Sequence, residues 1–182
     1  MPNTPNTQTM HMGNASGPDA FNESVLEDPG QLGAPHHSSD SSYQRVKLDS
    51  GATSATTVGA VAANQLAYWK DKDSYVVTND SRQTIGGPIS TGAFRNFVAG
   101  VFRTSVTAGY YCDILQSGDN ISVADGGNAF VVGASVIAES GTAAAADVIA
   151  VGVAPTYRVL GIARGAASGG NVSVDVSIAP IP

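Results

Sequence analysis

Apolar and polar positions fall into two regimes along this chain. Over residues 1–45 Pro, Asn, Ser, Thr, Gly, His and Asp dominate, and Phe21, Val25, Leu26 and Leu32 stand isolated among them. Such a segment cannot bury enough apolar surface to offset its own ordering entropy, so it is predicted to be an extended arm that gains order from a surface it lies along. From about Tyr43 the pattern changes. Arg45-Val46-Lys47-Leu48 alternates polar with apolar, as a half-buried strand does. Residues 65–69 (Gln-Leu-Ala-Tyr-Trp) and 74–78 (Ser-Tyr-Val-Val-Thr), joined by the polar turn 70–73, predict a β-hairpin.

Further strands are predicted at residues 97–104, 110–115, 120–123, 129–132, 135–138, 148–153, 157–164 and 172–178. In the last of these Val172, Val174, Val176 and Ile178 share one face, and Ser173, Asp175 and Ser177 share the other. Residues 142–148 have the composition of one short helical turn. Two segments read alike: Val98 to Arg103 followed by Ala108-Gly109 and Tyr111 to Ile114, and Val159 to Arg164 followed by Gly169-Gly170 and Val172 to Asp175. Both are a strand ending in Arg, a small-residue turn and a second strand, so two similar hairpin units are predicted. Many short strands punctuated by Gly, Asn and Asp give an all-β fold, a compact β-barrel or β-sandwich of short antiparallel strands. The organisation is then an extended polar N-terminal arm, 1–45, and a β-rich domain, 46–182.

Composition narrows the function. Charged residues are 13% of the 182, about half the usual globular share, and Gly numbers 21. The net charge is −6, and no two of the nine Lys and Arg are adjacent, so the basic stripe that nucleic-acid binding requires is missing. An anionic membrane surface is excluded on the same ground. The N-terminus has neither a basic region nor an apolar core of a secretory signal, so synthesis in a cytoplasm is expected.

Candidate chemistry is sparse. The one cysteine, Cys112, lies in an apolar run, and the three histidines, His11, His36 and His37, all lie in the polar segment, so a Cys–His nucleophile is not expected. His36-His37, with Asp40 nearby, is the most tempting metal pair, but adjacent residues of an extended chain point to opposite sides. Asp119-Asn120 and Asp125-Gly126-Gly127-Asn128 lack the ligand spacing of a calcium loop and read as turns. No phosphate-binding loop, zinc motif or nucleophile elbow occurs. Asp113 and Asp175 are the one carboxylate pair an enzyme reading would rest on, and polar positions on two strands explain them equally. Tyr68, Trp69 and Tyr75 form an aromatic group on the hairpin, suited to a core, an oligomer interface or a sugar-stacking platform. No catalytic residue, metal site or cofactor is assigned, and the chain is not expected to be an enzyme.

Three segments carry a resemblance: the hairpin from Gln65 to Val77, the strand and small-residue turn from Val98 to Ile114, and the terminal run from Val159 to Val176. Together they resemble the capsid cement, or head decoration, proteins of tailed bacteriophages, over roughly residues 45–182. The resemblance implies a β-rich domain on the outer surface of the virion head, clamping neighbouring major capsid proteins, commonly as a homotrimer, with an N-terminal segment laid along the shell. On that view Phe21, Val25, Leu26 and Leu32 are the arm's capsid-contacting anchors. Tyr68, Trp69 and Tyr75 are then candidates for the contact between copies, a trimer rather than a dimer. The other reading is a phage fibre or a carbohydrate-binding surface module with the three aromatics exposed.

Overall fold

The computed structural model describes residues 32–50, 60–80, 97–139, 144–150, 152–155 and 157–178. Among them there is no helix. Twelve strands run in chain order among the described residues: β1 (Pro35–Ser38), β2 (Ser41–Leu48), β3 (Ala60–Val61), β4 (Leu66–Asp71), β5 (Val76–Thr78), β6 (Val98–Phe102), β7 (Val106–Thr107), β8 (Tyr111–Ala124), β9 (Ser135–Ala138), β10 (Ala146–Ile149), β11 (Gly161–Ala163) and β12 (Asn171–Ser177). Strands β2, β5, β4, β6 and β8 are neighbours in that order, and β8 returns to β2, which closes a five-stranded barrel. The β2–β5 pair is parallel and the other four are antiparallel. Strands β12, β11, β9 and β10 continue from β8 as an outer sheet, and β1 lies on β2 outside the barrel.

Side-chain alternation divides the apolar residues between two cores. Val46 and Leu48 of β2, Ala67 and Trp69 of β4, Val77 of β5, Phe102 of β6 and Cys112 and Ile114 of β8 fill the barrel. Leu66 and Tyr68 of β4, Val98 and Val101 of β6 and Leu115 of β8 point out of it, against Val136 of β9 and Val172, Val174 and Val176 of β12. Barrel strands β4 and β6 are therefore buried on both faces, which explains why residues 66–69 and 98–102 read as continuous apolar runs. Strand β12 has one dry face and one wet one, and its buried positions are the three valines that alternation predicts.

Strand β8 joins the two cores. The predicted strands 110–115 and 120–123 are one 14-residue strand. Its first half pairs with β2 and β6 and its second half with β12, and Ser117 is in register with both Ser42 and Ser177. Both register shifts beside this point put an extra residue into β8: Gln116 opposite Ser42 and Tyr43, and one residue between Gly118 and Ile121 opposite Val174 and Val176. The two predicted hairpin units are present as the antiparallel neighbours β6–β8 and β11–β12.

Several expectations are corrected. Residues 35–38 and 41–44, which composition placed in the arm, are strand β1 and the first half of β2. Polar side chains do not prevent this, because backbone pairing and an edge position suffice, and Pro35 opens the edge strand where its missing N–H costs nothing. Residues 129–132 are not a strand but lead into a turn. The strand predicted at 148–153 lies instead at Ala146–Ile149, so the described part of the predicted helical turn is turn and strand. The hairpin's second strand begins at Val76, because Tyr75 is held at φ 53 in the left-handed region.

Because β8 carries both cores, the chain should unfold as one unit. Phe102→Ala in the barrel should cost about 3–5 kcal/mol and Leu115→Ala in the outer core about 2–5 kcal/mol. In both variants the Trp69 fluorescence and far-ultraviolet circular dichroism transitions should coincide in urea. Separate transitions for the two signals would show that the cores are independent.

Candidate functional site

Leu32 is a half-buried residue just before β1, the strand that lies on β2 outside the barrel. The Gly33 N–H donates to the Arg45 carbonyl at 2.8 Å, and the Arg45 N–H donates to the Ala34 carbonyl at 3.2 Å. A side chain at Gly33 would run into the ring of Tyr75, so the two segments touch without a gap. Strand β2 then has three partners: β1 and β5 along its length and β8 across from them. Two side-chain links add to the β2–β8 backbone pairing: Ser42 to Ser117 at 2.6 Å between hydroxyls, and the Gln116 amide donating to Gln44 Oε1 at 2.6 Å.

Arg45 and Asp113 face each other across this pair. The Arg45 Nε lies 3.0 Å from Asp113 Oδ1, and the Asp113 side chain is 1% exposed. These atoms are close enough for an ion pair but are not in hydrogen-bond alignment. Burial pushes the Asp113 carboxyl above its ordinary value, against the opposing pull of Arg45 and then of His36. The charge cluster therefore sits at the root of the N-terminal segment, where β1, β2 and β8 meet.

The other sequence candidates separate. Phe21, Val25 and Leu26 lie outside the described residues. Tyr68 and Trp69 are both buried, Tyr68 in the outer core and Trp69 in the barrel, because neighbours on a strand face opposite ways. Only Tyr75 is partly exposed, and it meets Trp69 edge to face with ring centroids 6.3 Å apart. The three aromatics form neither a surface patch for another copy nor a sugar platform. This corrects both expectations. His36 and His37 are successive residues of β1, and no group of three or more His, Cys, Asp or Glu able to hold a metal occurs among the described residues.

Cys112 is enclosed in the barrel. Its thiol is pushed up to about 12 by burial and then by the charge of Asp113, which removes it as a nucleophile near neutral pH. Asp113 and Asp175 do not form a pair: Asp113 faces Arg45, while half-buried Asp175 is held by Arg164 and the N–H of Asn120. The Arg164 hydrogen bond, first among the causes, keeps the Asp175 carboxyl below its ordinary value. Asp125 closes a turn by accepting the N–H groups of Gly127 at 2.6 Å and Asn128 at 2.9 Å, an Asx turn rather than a calcium loop.

One surface feature escaped the sequence reading. Val131, Val132, Val153 and Ile162 are 55%, 73%, 58% and 43% exposed, and they are the exposed large apolar side chains of the described residues. All four lie at one end of the outer sheet. The turn 131–134 leads into β9, the turn 150–153 leaves β10, and Ser135 at the start of β9 is registered with both Ile149 of β10 and Ile162 of β11. The two turns are built alike. Each is closed by an N–H to carbonyl bond of 3.1 Å, Ala134 to Val131 and Val153 to Ala150, with Gly133 at φ 83 and Gly152 at φ 87 in the third position. In the sequence the apolar runs around these turns read as strands.

Removing one member of the buried ion pair leaves an uncompensated charge, so Arg45→Ala should cost about 3–5 kcal/mol, whereas Arg45→Met with Asp113→Leu should lie within about 1 kcal/mol of the unmodified protein. The pH dependence has a defined sign. An acid with a raised folded value binds more protons folded than unfolded, so it lowers stability as pH rises from its ordinary 3.8 to the raised folded value. Relative to Asp113→Asn, the unmodified protein should therefore gain stability as pH falls through that window. Urea midpoints measured along a pH series check this, and a fixed difference would contradict it. No protein-family model matches the chain, and no curated protein does.

Proposed function

We propose that the protein is a structural binding module, a capsid cement protein that holds the outer surface of a phage head through its N-terminal segment and its barrel. The observation that carries this reading is the construction of the segment's root. The polar N-terminal sequence leads through the edge strand β1 into β2, the strand with three partner strands, which the buried Arg45–Asp113 pair fastens to β8. A tether that must not pull out of its body requires such a root, whereas a spacer or a trailing tail does not. The first 31 residues contain Asp19, Glu23, Glu27 and Asp28 and no Lys or Arg, with Phe21, Val25 and Leu26 among the acids. This composition suits a shell surface that offers basic groups around shallow apolar pockets, and the proposed partner is the major capsid protein.

The side chains with potential chemistry are engaged in holding the body together. The thiol lies in the barrel core, Asp113 faces Arg45, Asp175 is bound by Arg164, and Asp125 closes a turn. This supports a scaffold role over catalysis. Among the described residues no helix is long and apolar enough to cross a membrane. Self-association, as a trimer, belongs to the same reading, since several copies on one lattice multiply many weak contacts. The fibre or carbohydrate-binding reading is not favoured, because Tyr68 and Trp69 are not on the surface.

Deleting residues 1–31 leaves β1 and β2 whole. The truncated chain should keep its circular dichroism and its melting temperature yet bind expanded capsids at least about tenfold more weakly, through loss of one arm of a linked contact. Phe21, Val25 and Leu26 changed together to Ser should reproduce most of that loss. Equal saturation of capsids by the truncated and full chains, with equal resistance to osmotic shock, would overturn the proposal.

A further inference from the structure

Polar residues on the outward face of β8 and β12 line a cleft of about 300 Å³, at the small end of the range for ligand sites. Its floor is Asn120 and Ser122 of β8 with Asn171 and Ser173 of β12, and Ser122 is in register with Ser173. Ala166 and Ser168, on the connection between β11 and β12, form its wall. That wall is fixed by a two-residue hairpin turn. The Ser168 N–H donates to the Asn171 carbonyl at 2.8 Å, and Gly169 and Gly170 between them take φ 61 and φ 77. Asn is depleted in strands, yet each strand carries one here, and Asn120 is held at φ 56 in the left-handed region. Residues that local structure disfavours mark places where something other than folding is served.

The amides are held in place by their neighbours. Asn64 Nδ2 donates to Asn171 Oδ1 and Asn171 Nδ2 to the Gly169 carbonyl, each at 3.3 Å. The Ser173 hydroxyl donates to Asn120 Oδ1, and the Asn120 N–H donates to Asp175 Oδ1 at 3.0 Å. Asn120 Nδ2 and the hydroxyls of Ser122 and Ser168 take part in none of these bonds. The cleft therefore offers one amide donor and two groups that both donate and accept. Its lining rules out the common ligand classes in turn. It holds no Lys, Arg, His, Asp or Glu, and Asp175 beside it is paired with Arg164, so no group is left to match a phosphate, a carboxylate or an ammonium. It holds no aromatic ring on which a nucleobase would stack. Its apolar side chain is Ala166, since Val172 is 1% exposed and packs into the outer core, so an apolar ligand would bury little there. A neutral molecule dense in hydroxyl groups remains. We infer that the cleft binds one unit of a neutral saccharide, an activity beyond holding a shell and independent of it. The site shares no residue with Tyr68, Trp69 and Tyr75. Small and without an aromatic plate, it should hold a single unit with a Kd on the order of millimolar.

The test uses the full chain, isotope-labelled for NMR and without capsids, so its failure is separate from any failure to bind a shell. Glucose, galactose, mannose and N-acetylglucosamine are titrated one at a time into the tens of millimolar, with inorganic phosphate as the control. At least one sugar should shift the amide signals of Asn120, Ser122, Ser168, Asn171 and Ser173 saturably, and phosphate should shift none of them. Ser122→Ala with Ser168→Ala removes both open hydroxyls. Asn120→Gly removes the amide while suiting the positive φ at that position. Each variant should weaken binding at least about tenfold with circular dichroism unchanged, because a site built on hydrogen bonds depends on each partner. Absence of a saturable shift with all four sugars overturns the inference. Equal shifts with phosphate, saturable shifts confined to other residues, or folded variants of unaltered affinity overturn it as well.

Discussion

Strand β8 is the constraint on which the rest depends. It is 14 residues long, and its first half closes the barrel against β2 while its second half starts the outer sheet against β12. A strand in this position must be apolar on both faces where the layers overlap, and Cys112, Ile114 and Leu115 meet that requirement. It must also bend between its two roles. Two bulges in β8 itself, at Gln116 opposite β2 and between Gly118 and Ile121 opposite β12, supply the bend, because an extra residue in one strand of a ladder kinks it and increases its local twist. Shortening β8 would leave two cores with no common wall.

The same strand sets what the protein can do. The first half of β8 is paired with β2 on one edge and β6 on the other and is buried on both faces, so the molecule is closed where the barrel meets the outer sheet. One end holds the root of the N-terminal segment at β1, β2 and Tyr75. At one end of the outer sheet lie the valine-bearing turns before β9 and after β10.

Strands that face water on one side were legible in the sequence, as β12 shows: its three valines alternate with Ser173 and Asp175, and they are the buried ones. The all-β class and the two similar hairpins followed from turn punctuation and local likeness. The barrel's closure was not legible, since the parallel β2–β5 pair joins segments whose sequences carry no mark of each other. Strand β1 was missed because its polar side chains lie on an edge, where pairing asks for backbone and little apolar surface. The aromatic group was misread because Tyr68 and Trp69 were treated as one cluster, although successive residues of β4 must enter different cores. The exposed valines were hidden by the opposite error: runs such as Ala129 to Val132 fit a buried strand as well as a turn, and only the fold shows which of them meet water.

The root of the N-terminal segment also fixes how the molecule would bear a load. A pull on that segment reaches β1 and then β2, and β2 is flanked by β8 on one side and by β1 and β5 on the other. Force directed along β2 strains many inter-strand hydrogen bonds at once, in shear, instead of opening them one after another like a zipper. The Ser42–Ser117 and Gln44–Gln116 links and the Arg45–Asp113 pair lie within the same stretch and share the strain. In the proposed cement role, a swelling or shocked shell would load this connection along β2, the direction in which its hydrogen bonds resist together.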